Sequence, residues 1–187
     1  MVNQTEFIDH LKERMNKSFE EGFYLESITC SYAIIENRTK RLLEHLGKSS
    51  KDMMISQKTQ YLYTQILNKN QETDVNRKKL ISFIEYRLNK GKILEVLPSI
   101  DMISEINDTI ISTGKQKLIS FSRQRNKVAH RLANYDSQNP HLIDFGDYID
   151  LAFLGKEVAE ELSATASATK RKKGQLQNWY LFAIIKK

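Results

Sequence analysis

A chain of 187 residues, 40% apolar and 28% charged, is long enough to bury one core without staples and has the balance of a soluble globular protein. Seven Gly and two Pro leave little turn punctuation, which favours long helices over many short strands. The formal charge of +6 is compatible with a polyanionic partner, and a lone cysteine, Cys30, excludes an intrachain disulfide and fits a reducing compartment.

The first helix is expected from about Thr5, which can cap it, to Glu21, with Gly22 as its stop. Phe7, Ile8, Leu11, Met15 and Phe19 recur at helical spacing and mark one narrow buried face. The next stretch carries the cleanest periodicity. Leu25, Ile28, Tyr32, Ile35, Leu42 and Leu46 advance by threes and fours, interrupted only at Thr39, so they form a seam that packs along another helix for its whole length. Gly47 is the expected stop. Cys30 lies in this apolar stretch and reads as a small core residue rather than a nucleophile.

Further helices are expected around Met53–Asn68 and Val75–Asn89, separated by polar breaks, followed by a short piece from Ile93 that stops before Pro98. Ser99 can cap a long helix running towards Ala133, with Gly114 as a kink or break. Asn134 to Pro140 is a loop by composition, and Leu142 to Thr169 reads as the last bundle helix despite Gly146 and Gly155. Residues 170–187 then form a basic linker, Lys170-Arg171-Lys172-Lys173, and an apolar tail, Trp179 to Ile185. The expectation is an all-α protein: an antiparallel bundle of about five to six helices over residues 1–169, with 170–187 as an appendage.

Several chemistries are missing from the sequence. It holds no Gly-rich phosphate loop, no dinucleotide fingerprint and no nucleophile elbow. With one Cys and four scattered His it has no zinc-site spacing, so neither metal nor cofactor is expected. His10 and His45 read as solvated surface, as does His141 beside Pro140. No signal segment or bilayer-length apolar run is visible, so a cytoplasmic location without a membrane partner is expected.

The stretch Leu118 to Leu132 resists a bland reading. At about 100° per residue, Leu118, Phe121, Val128, Ala129 and Leu132 share one side, and Arg125 falls inside their stripe. A buried Arg needs a partner, so it meets a carboxylate, for which Glu36 and Glu105 are candidates, or faces a cleft, or escapes where the helix breaks. The opposite ridge, Arg123, Asn126, His130 and Asn134, flanked by Lys127 and Arg131, suits a phosphate backbone: cations hold the anion, and an imidazole moves protons near neutral pH.

Arg125-Asn126-Lys127-Val128-Ala129-His130 resembles the R-x4-H signature of HEPN domains, with a polar residue directly after the Arg. The context is similar as well: a long early helix from Tyr24 through Leu43, and the motif late in the bundle with one helix after it. The resemblance covers roughly Thr5 to Thr169. It implies a metal-independent endoribonuclease of a toxin–antitoxin or phage-defence setting, active as a homodimer with two motifs facing one cleft, and paired with an antitoxin or regulatory protein. The implied reaction is attack by an RNA 2′-hydroxyl on the neighbouring phosphate. In it His130 transfers protons, Arg125 steadies charge on the phosphate oxygens and Asn126 orients the His or the phosphate. Arg123, Lys127 and Arg131 would hold RNA. Toxins of the branch silenced by adenylylation carry Tyr two residues after the His; here that residue is Leu132, so this silencing is not expected. The alternative is a non-catalytic module of the same fold that binds RNA or a protein.

Overall fold

The structure, a computed structural model, describes residues 4–95, 117–133 and 148–185; side chains are described within these ranges except at 131–133 and 178–185. Six α-helices occupy them: α1 (Gln4–Glu20), α2 (Tyr24–His45), α3 (Ile55–Leu67), α4 (Val75–Lys90), α5 (Lys117–Ala133) and α6 (Ile149–Ile185), with one 3₁₀ turn at Lys69–Gln71. The described residues form an all-α bundle without strands. No helix among them is long and apolar enough to cross a membrane.

Helix ends follow local chemistry. α1 and α2 each close with a Schellman turn around a glycine at positive φ, Gly22 at 82° and Gly47 at 77°. In the first, the Phe23 N–H donates to Ser18 O at 2.7 Å; in the second, Lys48 N–H donates to Leu43 O at 2.9 Å. α4 closes the same way, with Ile93 N–H donating to Leu88 O at 2.8 Å, but there the left-handed residue is Lys92, at φ 58°. At the start of α4 the Asp74 carboxylate accepts from Asn76 N–H at 2.8 Å and Arg77 N–H at 3.0 Å. Thr5, expected as a cap, lies one residue inside α1.

The seam of α2 finds its partner in α6, the most extensive helix–helix contact of the bundle. Ile28, Ile35, Leu42 and Leu46 are buried, and Thr39, the apparent interruption, is buried with them. α6 answers with a wide face of small and aliphatic residues, including Leu151, Ala152, Gly155, Val158, Ala159 and Leu162. Gly155 explains itself here: a Cβ at this position would lie 2.6 Å from the Phe121 ring and 2.9 Å from Ser31 Cβ, both fully buried. Side chains of α2 and α5 thus both press on α6 at this point. α1 packs on α2, tied by Ser27 Oγ donating to Met15 O at 3.0 Å. Of the expected α1 face, Ile8 and Met15 are buried, Leu11 and Phe19 are half-buried, and Phe7 is exposed. Cys30 is in the core, and burial raises its thiol above the ordinary range.

One expectation needs correction. The last helix does not give way to a linker at Thr169: α6 is helical from Ile149 to Ile185, through Lys170–Lys173 and into the apolar tail. Lys and Arg are good helix formers, so a short basic run gives an established helix no reason to stop. Gly155 likewise does not weaken α6, because its missing side chain is what the crossing uses. The helix expected from Ser99, with Gly114, lies outside the described residues up to 116. Its described end, α5, opens with Lys117 N–H donating to Glu95 O at 3.1 Å and Leu118 N–H donating to Ile93 O at 3.4 Å, which anchors it to the turn after α4. The expected loop at Asn134–Pro140, Gly146, and the start of the last helix from Leu142 also lie outside.

Gly155→Ala is expected to destabilise the fold by about 1–3 kcal/mol, because the buried Phe121 ring cannot move aside cheaply. A urea midpoint equal to that of the wild type would contradict the close crossing. Lys92→Gly should act in the opposite sense, raising stability by up to about 1 kcal/mol through relief of left-handed strain.

Candidate functional site on the fifth helix

α5 is continuous from Lys117 to Ala133, so no helix break turns Arg125 towards His130. On an unbroken helix the two are about 140° apart. Arg125 is half-buried and turned to α2; His130 is exposed. Asn126, between them, is half-buried, and its Oδ1 accepts from Arg125 Nη1 at 3.5 Å.

What receives Arg125 is an aromatic face. Its guanidinium carbon lies 3.9 Å from the ring centroid of Tyr32, one of the seam residues of α2. A guanidinium stacks flat on a ring without giving up all its N–H donors, so this contact places the charge and leaves donors for an anion. The carboxylate partner expected from the sequence is engaged elsewhere: Glu36 Oε1 accepts from Lys58 Nζ of α3 at 2.6 Å. Glu105, the other candidate, lies outside the described residues. Burial, followed by the charge of Glu36, pushes the Tyr32 hydroxyl above its ordinary range, while Arg125 pulls the other way. Tyr32 therefore stays neutral and supplies a π face throughout the physiological range. Residues from three helices stand in a row: Arg125 on Tyr32, Tyr32 beside Glu36, and Glu36 on Lys58. Their spacing on α2, Tyr32 to Glu36, is one helical turn.

The rest of the polar ridge stands outward. Arg123 is exposed and forms one end of a groove of about 430 Å³ between α3 and α5. Ser56, Gln57, Gln60, Tyr61 and Thr64 of α3 line its other wall. Arg123 lies seven residues before His130, about 10 Å along the helix axis. Ile119 and Arg123, the α5 wall of the groove, thus stand on the same arc of the helix as the exposed imidazole. Sequence reading missed this wall. Its Gln and Thr residues look like an ordinary solvated helix face, and only the approach of α3 to α5 makes them part of a site. Lys127 is half-buried; the Arg131 side chain and Asn134 lie outside what is described.

Two residues inside the α5 stripe also escaped a hydrophobicity reading. Ser122 and Gln124 are buried, the latter with its Nε2 donating to Ser120 Oγ at 3.0 Å. The core-facing arc is accordingly wider than Leu118, Phe121 and Val128 alone define. No cluster of three or more His, Cys, Asp or Glu able to hold a metal occurs among the described residues. His10 is exposed, as expected, but His45 is not plain surface: it is half-buried at a second groove described below. His141 lies outside the described residues.

Compared with known proteins, the chain matches no family model, no curated protein and no solved structure.

The row of residues beneath the site makes an asymmetric prediction. The Lys58 side chain is 5% exposed and that of Glu36 36%. Glu36→Ala strands a buried ammonium and is expected to cost about 3 kcal/mol. Lys58→Met leaves a carboxylate that water can reach and should cost less than about 1 kcal/mol. Urea denaturation of both variants checks the order, and equal losses would contradict it.

Proposed function

We propose that the protein is a metal-independent endoribonuclease of the HEPN type, acting as a homodimer in a toxin–antitoxin or phage-defence setting. The observation that carries this reading is Arg125-Asn126-x-x-x-His130 on one continuous helix of an all-α bundle, with the His exposed and the Arg held by a ring instead of a carboxylate. An Arg neutralised by Glu36 would have favoured a purely structural role; Glu36 pairs with Lys58 instead.

In the proposed reaction the RNA 2′-oxygen attacks the adjacent phosphorus. The bond from phosphorus to the 5′-oxygen breaks, and a 2′,3′-cyclic phosphate and a 5′-hydroxyl result. The proton lost by the 2′-hydroxyl and the proton gained by the leaving oxygen pass through imidazole groups, the role assigned to His130. Arg125 meets the negative charge that grows on the phosphate oxygens. Asn126, whose Oδ1 accepts from Arg125, is assigned to orienting the His or the phosphate. Because Arg125 and His130 point to different sides of one helix, a second copy across the cleft would complete the set, in keeping with the homodimer implied by the resemblance. The groove ending at Arg123 suits an RNA strand: Gln and Thr side chains hydrogen-bond, and the Tyr61 ring offers a stacking face. Lys127 and Arg131 are assigned to phosphate contacts on the same helix. An antitoxin or regulatory protein that covers the cleft is part of the same proposal.

A second reading, a non-catalytic RNA- or protein-binding module, is favoured by the stacking of Arg125 on Tyr32, which also serves as packing.

The test is cleavage of structured and unstructured RNA by the purified chain in EDTA, with 2′-deoxy oligonucleotides alongside. RNA alone should be cut, leaving cyclic-phosphate ends, and His130→Ala should lower the rate by at least about 100-fold. Cleavage of the deoxy substrate or equal activity of the variant would overturn the enzyme. A folded dimer that cuts nothing would leave the binding module.

A further inference from the structure

A second basic groove lies on the other side of α2. Arg38, Arg41 and His45 line it from α2, Lys170 and Arg171 from α6, and Gln4 and Thr5 from the first turn of α1. Its volume is about 730 Å³, and at Gly174 a Cβ would meet nothing within 4 Å, so that end is open. On α2, Arg38, Arg41 and His45 fall within an arc of about 60°, roughly opposite Tyr32 and Glu36. The groove is therefore separate from the α5 site and does not rest on the nuclease reading.

Its charges are balanced only in part from within, by Glu44 on Arg41. Arg41 donates to Glu44 at 2.7 Å and also to Gln4, so it is held in place across the groove floor. No carboxylate among the described residues forms an ion pair with Arg38, Lys170 or Arg171. Arg38 is half-buried, its buried Nε has no hydrogen-bond partner among the described residues, and burial lowers its guanidinium from the ordinary range, with Asp9 opposing. Burial, and after it the charge of Lys173, lowers the His45 imidazole too, with Glu44 opposing and Arg41 and Lys170 adding to the effect. A buried guanidinium N–H with no acceptor costs free energy, and so does the mutual repulsion of cations from two helices. A bound polyanion relieves the repulsion and compensates the charge of the half-buried Arg38.

We propose that this groove is a binding site for a compact ligand carrying clustered phosphate groups, such as a triphosphate. Arg38 and Arg41 grip it from one wall, and Lys170 and Arg171 close on it from the other. Cations that converge on one groove suit a compact polyphosphate better than a nucleic-acid strand, which needs a row of contacts along a surface. Guanidinium groups bind phosphate oxygens bidentately, and the two α6 cations add charge without fixed geometry.

The test is calorimetric titration of the full chain at physiological salt with inorganic tripolyphosphate, adenosine triphosphate and a twelve-nucleotide RNA. Tripolyphosphate and the nucleotide should bind at a single site. Lys170 and Arg171 are exposed, so the double reversal Lys170→Glu, Arg171→Glu should keep the melting temperature while weakening both ligands by at least about tenfold. Arg38→Lys, which keeps the charge but loses the fork, should weaken them as well. Binding of the RNA with none of tripolyphosphate would overturn the compact-ligand assignment, and heat from tripolyphosphate that the double variant leaves unchanged would place the site elsewhere. No binding of any ligand would overturn the proposal outright.

Discussion

The bundle depends on how closely α6 can approach α2. A side chain at Gly155 would collide with Phe121 and Ser31, so the missing side chain is what lets the crossing be this close without strain. The residues around it on α6, Ala152 and Ala159, are small as well, and α2 offers Ser31 at its buried face. Small residues on both helices let the backbones come together, and the larger Ile, Leu and Phe side chains fill the space on either side. α5 is held against the same crossing by Phe121 and, at its start, by Lys117 Nζ on Glu157 of α6 at 3.2 Å. Everything the α5 motif presents to solvent is thus set by a contact made on its opposite face.

That arrangement gives the same helix two different functions on two arcs. The inner arc carries Leu118, Phe121, Ser122, Gln124 and Val128, all buried. The outer arc carries Arg123 and His130, both exposed. Arg125 sits at the margin, where an apolar stripe needs a partner that tolerates a cation. An aromatic ring meets that need at lower desolvation cost than a buried carboxylate, because the guanidinium keeps part of its hydration and its N–H donors stay available. The carboxylate one turn further along α2 is drawn to Lys58, a strongly hydrated point charge that buries poorly unless it is paired.

Long-range charge placement divides the molecule around α2. One of its faces meets α5 through Tyr32 and α3 through Glu36. The roughly opposite face carries Arg38, Arg41 and His45 towards α1 and the basic run of α6. The run Lys170–Lys173 acquires a location because α6 does not end at Thr169. A helix that continues rigidly delivers Lys170 and Arg171 one turn beyond the buried Ala166. As a linker, the same residues would have had no defined neighbour.

The sequence by itself determined the local and periodic features. Threes-and-fours spacing marked the α2 seam, Gly22 and Gly47 marked two helix stops through their tolerance of positive φ, and α3 and α4 fell within one or two residues of their expected bounds. The Arg-Asn-x-x-x-His series and its anomalous Arg125 were equally legible, because both are defined within a single helix. The tertiary structure alone decided which helix the seam meets, that Arg125 rests on Tyr32 and not on Glu36, that Gln57, Gln60 and Thr64 form a groove with Arg123, and that His45 faces Lys170 and Arg171. Periodicity fixes the face on which a residue stands. What that face meets depends on the crossing of helices far apart in the chain, and no spacing rule within one helix encodes it.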